Sequence, residues 1–192
     1  MDMDRRGVLL GAIAVAVSSK AAASNPILAA GVAKTPAQRC ARLMASALRS
    51  IGSDRCVAEA ERLESLGPTH GAVALHLRKF GLGAADATLI AGALERLTPD
   101  EAAALSSFSI SYNAGVGDDG AAALAKALPA DLPEIGFVGC ALGDPAGQAL
   151  LGWAKAGDRP KMICVEGNRF SADLRDAFRH VARQRSGTTV IV

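Results

Sequence analysis

The sequence predicts an α/β fold in which short parallel strands alternate with helices in stacked units behind an N-terminal helical cap. Three observations carry this expectation. A motif of two alternating apolar residues followed by a turn recurs four times. Each motif leads into an alanine-rich segment of helical pattern. The chain of 192 residues is 50% hydrophobic and 21% charged, with a mean hydropathy of +0.23, which is enough apolar material for one domain with a core. The formal net charge of +2 offers no electrostatic case for nucleic acid, and aromatics at 4% leave little for base stacking.

Residues 1–23 read as an export signal. Arg5 and Arg6 form a positive start, Gly7 to Val17 an apolar stretch of eleven residues, and Ala21 and Ala23 a small-x-small cleavage site. Eleven residues fall short of the roughly 20 that span a bilayer. Asp4-Arg5-Arg6-Gly7-Val8-Leu9-Leu10 resembles the bacterial twin-arginine (Tat) signal, with Val8 where that family often has Phe. A Sec signal is the alternative, and an uncleaved signal would tether the chain to a membrane. The resemblance implies a periplasmic or secreted protein. Residues 24–35 are expected to be a flexible leader.

Residues 36–68 form the predicted cap. Cys40, Leu43, Met44, Ala47, Leu48 and Ile51 recur at helical spacing, and Gly52 ends that helix. Ser53 or Asp54 caps a second helix, and Gly67-Pro68 terminates it.

Residues 69–192 carry the repeats. The units open at Leu75-x-Leu77-x-x-Phe80, Phe108-x-Ile110-x-x-Asn113, Ile135-x-Phe137-x-x-Cys140 and Ile163-x-Val165-x-x-Asn168. Their starts at 75, 108, 135 and 163 are 33, 27 and 28 residues apart, and Val190-x-Val192 reads as a shortened fifth strand. The longer first period contains an insertion at 98–107. Gly83, Gly117 and Gly143 begin the second half of three units, and Asp118, Asp119, Asp144 and Pro145 are helix-start residues. Helices are therefore predicted over 84–97, 118–128, 144–156 and 171–184. Side chains alternate along a strand, so the apolar pair of each motif points into the core. The turn that follows must satisfy buried backbone groups, which an Asn or Cys side chain can do.

This pattern resembles the leucine-rich repeat family, in its ribonuclease-inhibitor-like subtype, over Val73 to Val192. The resemblance implies a short solenoid with parallel strands on a concave face and helices on the convex one. It makes Asn113, Cys140 and Asn168 ladder residues, with Phe80 departing from the pattern. It also implies protein binding at the concave face.

The chemistry-bearing residues are sparse. Cys40 and Cys56 sit at heights that differ by about 12 Å along a helical hairpin, beyond the roughly 7 Å a disulfide tolerates. Cys140 is predicted to be buried and Cys164 to point outward, so no bridge is expected there either. No Cys-x-x-Cys motif, helical His pair, EF-hand spacing or phosphate-loop Lys is present, so no metal and no cofactor is expected. Gly115-Val116-Gly117-Asp118-Asp119-Gly120 reads as a helix start instead.

Outward positions across the strands are His76, Arg78 and Lys79, then Ser109, Ser111 and Tyr112, then Val138 between glycines, then Cys164 and Glu166. The candidate partner-binding residues are His76, Arg78, Lys79, Ser109, Ser111, Tyr112, Val138 and Glu166, with Arg78 and Tyr112 as the anchors. The first functional reading is an exported protein-binding module with an unidentified protein partner and no catalytic residue. The alternative is a small periplasmic enzyme or ligand sensor using the His76/Ser111/Tyr112 region. An open strand edge near Val190 allows a weak homodimer.

Overall fold

The computed structural model describes residues 34–192; the export-signal reading of 1–23 and the leader up to residue 33 lie outside the described residues. Helix α1, Pro36–Ile51, starts at a capping box in which Thr35 and Gln38 satisfy each other's backbone N–H groups. Thr35, assigned to the flexible leader by the sequence, is therefore the cap of this helix. Gly52, at φ 77°, closes it in the left-handed conformation that glycine adopts at no steric cost. Helix α2, Asp54–Glu64, is capped by the Ser53 hydroxyl. The two pack against each other through Cys40, Met44, Leu48, Cys56, Ala60 and Leu63, all buried.

Five strands follow: β1 Val73–His76, β2 Leu105–Ser109, β3 Glu134–Gly136, β4 Met162–Cys164 and β5 Thr189–Ile191. They form one parallel sheet in chain order, β1-β2-β3-β4-β5. Parallel neighbours need a crossover, and helices supply it: α3 Ala84–Leu94, α5 Gly117–Ala127, α6 Asp144–Ala156 and α7 Ala172–Gln184. These helices also pack side by side in chain order, α3 on α5, α5 on α6 and α6 on α7. Small residues set the approach of α3 and α5: a Cβ on Gly120 would lie 2.9 Å from that of Ala87.

The apolar pairs identified in the sequence are the core. Leu75, Leu77, Phe108, Ile110, Ile135, Phe137, Ile163 and Val165 are all buried. The Phe108 and Phe137 rings meet at 6.1 Å between centroids. Fully burying each such side chain contributes about 1.5–3 kcal/mol, so the interior of sheet and helices is the main source of stability.

The insertion at 98–107 is not irregular. Helix α4, Pro99–Ala104, begins at a Thr98/Glu101 capping box and runs directly into β2. The Glu101 carboxylate is buried and accepts from Arg39 Nε of α1 at 2.7 Å, so the extra helix is clamped to the cap. On the other side of the cap, α2 satisfies carbonyls of the β1 segment: Arg62 donates to Ala74 O at 3.0 Å and Arg55 donates to Lys79 O. Strand β1 pairs only with β2, and these arginines occupy its otherwise open edge. No helix among the described residues is long and apolar enough to cross a membrane.

Candidate functional site: the strand face

Backbone pairing continues past each short strand. Lys79 N–H donates to Ser111 O at 3.0 Å, Tyr112 N–H to Val138 O at 2.7 Å, and Gly139 N–H to Glu166 O at 2.9 Å. The strand register thus extends to place Arg78, Ser111, Val138 and Glu166 in one row across the sheet. The next residues, Lys79, Tyr112, Gly139 and Gly167, all have φ between 58° and 70°. Two of them carry side chains in a conformation that favours glycine, and both side chains stand on this face.

Behind the turns, buried side chains join consecutive units. Asn113 Nδ2 donates to Leu77 O and Ile110 O, each at 2.7 Å, and its Oδ1 accepts from Leu82 N–H at 3.1 Å. Asn168 does the same two interfaces further on: it donates to Phe137 O and Val165 O and accepts from Cys140 N–H and Leu142 N–H. Cys140 Sγ donates to Ile110 O at 3.3 Å. These side chains satisfy backbone groups of the turns, which are shut off from water around Asn113 and Cys140 and partly open around Asn168. A second set of bridges was read in the sequence only as helix starts. Asp118 Oδ1 accepts from Gly143 N–H at 2.6 Å and Asp144 Oδ1 from Ser171 N–H at 2.8 Å, each bond reaching the next unit.

On the open face, Arg78 and Tyr112, named from the sequence as two separate anchors, lie against each other. The Arg78 guanidinium carbon lies 3.8 Å from the Tyr112 ring centroid, and Lys79 Nζ lies 5.6 Å from it. The ring also covers Gly139, where a Cβ would sit 3.2 Å from Tyr112 Cδ1. Tyr112 remains 40% exposed. The ring contact holds the guanidinium in place, and among the described residues its N–H groups donate to no protein acceptor.

Ser111 does not stand where the sequence placed it. It is buried, with its hydroxyl 3.0 Å from Ser109 Oγ and accepting from Val138 N–H at 3.2 Å. Alternation sets which face a side chain leaves from, and the adjoining strand then covers this one. Ser111 is therefore a support of the turn rather than a contact residue. The His76/Ser111/Tyr112 grouping is corrected as well. His76 Nε2 pairs with Ser107 Oγ at 2.8 Å, diagonally across the β1–β2 pairing, and Tyr112 turns to Arg78. Ser107, adjacent to the serines named from sequence, was missed, as was the exposed Glu134 that pairs beside it in register.

The acidic end of the face is Glu166, half-buried, whose Oε2 is buried without a hydrogen-bond partner. Cys164, half-buried, has its thiol pushed up by burial and then by the charges of Glu166 and Glu134. The other thiols are held protonated by burial too, Cys40 to about 12 with a further push from Glu101. Thiols so placed are poor nucleophiles at neutral pH. All four cysteines are free.

Away from this face, a cleft of about 470 Å³ opens between the loops around Pro133, Arg159, Lys161 and Thr188. Its Arg185 is committed to the C-terminus of α6, donating to Ala154 O and Lys155 O. Among the described residues no three His, Cys, Asp or Glu side chains gather as a metal set. No family model matches the chain, and no curated protein matches its sequence.

Proposed function

We propose that this chain is an exported leucine-rich-repeat protein of the ribonuclease-inhibitor-like type that binds another protein through its strand face. The repeat reading is supported by the sequential parallel sheet, by the helix between each pair of strands, and by the Asn113, Cys140 and Asn168 bridges. The twin-arginine pattern at Arg5 and Arg6 supports export to the periplasm or beyond.

The observation that carries the binding reading is the stack of Arg78 on Tyr112 over Gly139. It presents a partly exposed aromatic with a guanidinium held against it, beside the small residues Gly136 and Gly139. Tyr and Arg are the side chains that most often dominate protein interfaces, and pre-ordering them lowers the entropic cost of association. Among the described residues His76 pairs with Ser107 and with no carboxylate that would orient it as a base, so no comparable observation favours catalysis.

The test is capture from periplasmic extract with the tagged chain and with the triple variant Arg78→Ala, Tyr112→Ala, Glu166→Ala, both checked for equal circular dichroism. A protein held by the first and released by the second is the expected result. Equal capture by both, or none by either, refutes the strand-face reading.

A further inference from the structure

We propose that the strand face takes an extended peptide segment bearing an acidic and a basic side chain four residues apart, lying across the strands along the row Arg78–Ser111–Val138–Glu166. The acidic side chain pairs with Arg78 and the basic one with Glu166. This rests on the reading of the face as a docking surface and adds the chemistry of its partner.

Charge is the first argument. Among the described residues neither Arg78 nor Lys79 has a carboxylate partner, although Arg78 is held against the Tyr112 ring. At the other end of the row, Glu166 has no salt-bridge partner among the described residues. Its Oε2 is the one buried side-chain oxygen or nitrogen among the described residues that lacks a hydrogen-bond partner. A buried acceptor without a donor is costly, and each such group in a folded protein calls for an explanation. Oε2 itself is closed to solvent, so a bound ammonium or guanidinium meets the carboxylate at its other oxygen and offsets the charge of the group.

Spacing is the second argument. Neighbouring strands lie about 4.8 Å apart, so the three steps from the Arg78 strand to the Glu166 strand span about 14 Å. An extended peptide advances about 3.3 Å per residue, and only every second side chain faces the sheet. Residues i and i+4 are then about 13 Å apart and both point down. Spacings of three or five residues put one of the two charges on the wrong side.

The floor between the charges is the third. Ser111 is buried, Val138 is half-buried, and Gly136 and Gly139 have no side chain. A second sheet packs about 10 Å away through interdigitating side chains, which this floor does not supply. A single strand-like backbone fits closer, with a small or apolar residue at i+2 over Val138. That favours a peptide segment over a second copy of the chain, although the face is self-complementary in charge.

The experiment measures fluorescence anisotropy of labelled Gly/Ser-flanked peptides titrated with the full chain at low salt. The probes are Glu-Ser-Val-Ser-Lys, its reverse Lys-Ser-Val-Ser-Glu, and a control with one more serine between the charges. One of the first two should bind at least about tenfold more tightly than the control. That preference should fall by about as much in Arg78→Glu and in Glu166→Gln, and Arg78→Glu with Glu166→Lys should favour the opposite peptide. Equal binding of all three probes, binding by none, or a preference untouched by these variants overturns the proposal. So does a face-to-face dimer of the free chain in sedimentation that Arg78→Glu dissociates. If extract capture still depends on Arg78 and Tyr112 while the spacing preference fails, the docking reading stands and the peptide inference falls. If both fail, both fall.

Discussion

Replacing Asn113 by alanine should be among the most damaging polar substitutions in the protein. The side chain is 2% exposed and makes three short bonds of 2.7, 2.7 and 3.1 Å, to Leu77 O, Ile110 O and from Leu82 N–H, and a longer one of 3.3 Å to Ser111 O. Alanine removes them and, counting the three short ones, leaves those backbone groups without that partner in a dry turn. At about 1–1.5 kcal/mol for each lost bond, the cost is about 3–5 kcal/mol. A domain of this size is stable by about 5–15 kcal/mol, so the variant should fold but unfold at much lower denaturant. The equivalent change at Asn168 breaks the same number of bonds, four, yet that residue is half-buried. Water can replace part of what is lost there, and the cost per bond should be smaller. Urea unfolding followed by circular dichroism measures both. A loss below about 1 kcal/mol for Asn113→Ala would refute the argument that side-chain bridges between units satisfy otherwise orphaned backbone groups.

Other outcomes follow from single contacts. Gly157→Ala should disrupt folding, because a Cβ there would lie 1.7 Å from Ala130 O. Gly92→Ala, in open space inside α3, should stabilise by about 0.5–1 kcal/mol, and thermal melts of the two give opposite signs. Glu101 is held below the ordinary carboxyl range by the Thr98 backbone N–H and then by Arg39, and Asp144 by the Ser171 N–H. A depressed folded-state value contributes stability above the unfolded value that is lost as pH falls through the folded one. Stability should therefore decline below about pH 5, and Glu101→Gln should flatten that decline in urea titrations at several pH values. In native protein a maleimide should modify Cys164 slowly, while Cys40, Cys56 and Cys140 react only after denaturation, as counted by mass spectrometry.

The elements were legible because each is set by local rules. Ser53 and Gly52 mark the cap helices through the bonds their own side chain and backbone permit, whereas the Thr35/Gln38 capping box was passed over as leader. The Leu75-x-Leu77 spacing recurs because a strand must bury every second residue. Helix α4 was missed because six residues carry no amphipathic period, although Thr98-Pro99-x-Glu101 holds a capping box. Asp118 and Asp144 were read as helix starts, which they are, but their bonds to Gly143 and Ser171 depend on the neighbouring unit being in place.

What the sequence determined by itself was periodic: strand, turn, helix, the inward pairs, the bridging asparagines, and the side of the sheet from which Arg78, Tyr112 and Glu166 leave. Each follows from alternation, capping or spacing within one stretch of chain. Tertiary structure alone decided how side chains from different units meet. The register between strands sends His76 to Ser107 rather than Ser111, covers Ser111 with the β3 segment, and lays Arg78 on Tyr112 above Gly139. These pairings join residues about 30 positions apart in the chain, and no local rule reaches across that distance; the stagger and packing of adjacent strands fix them.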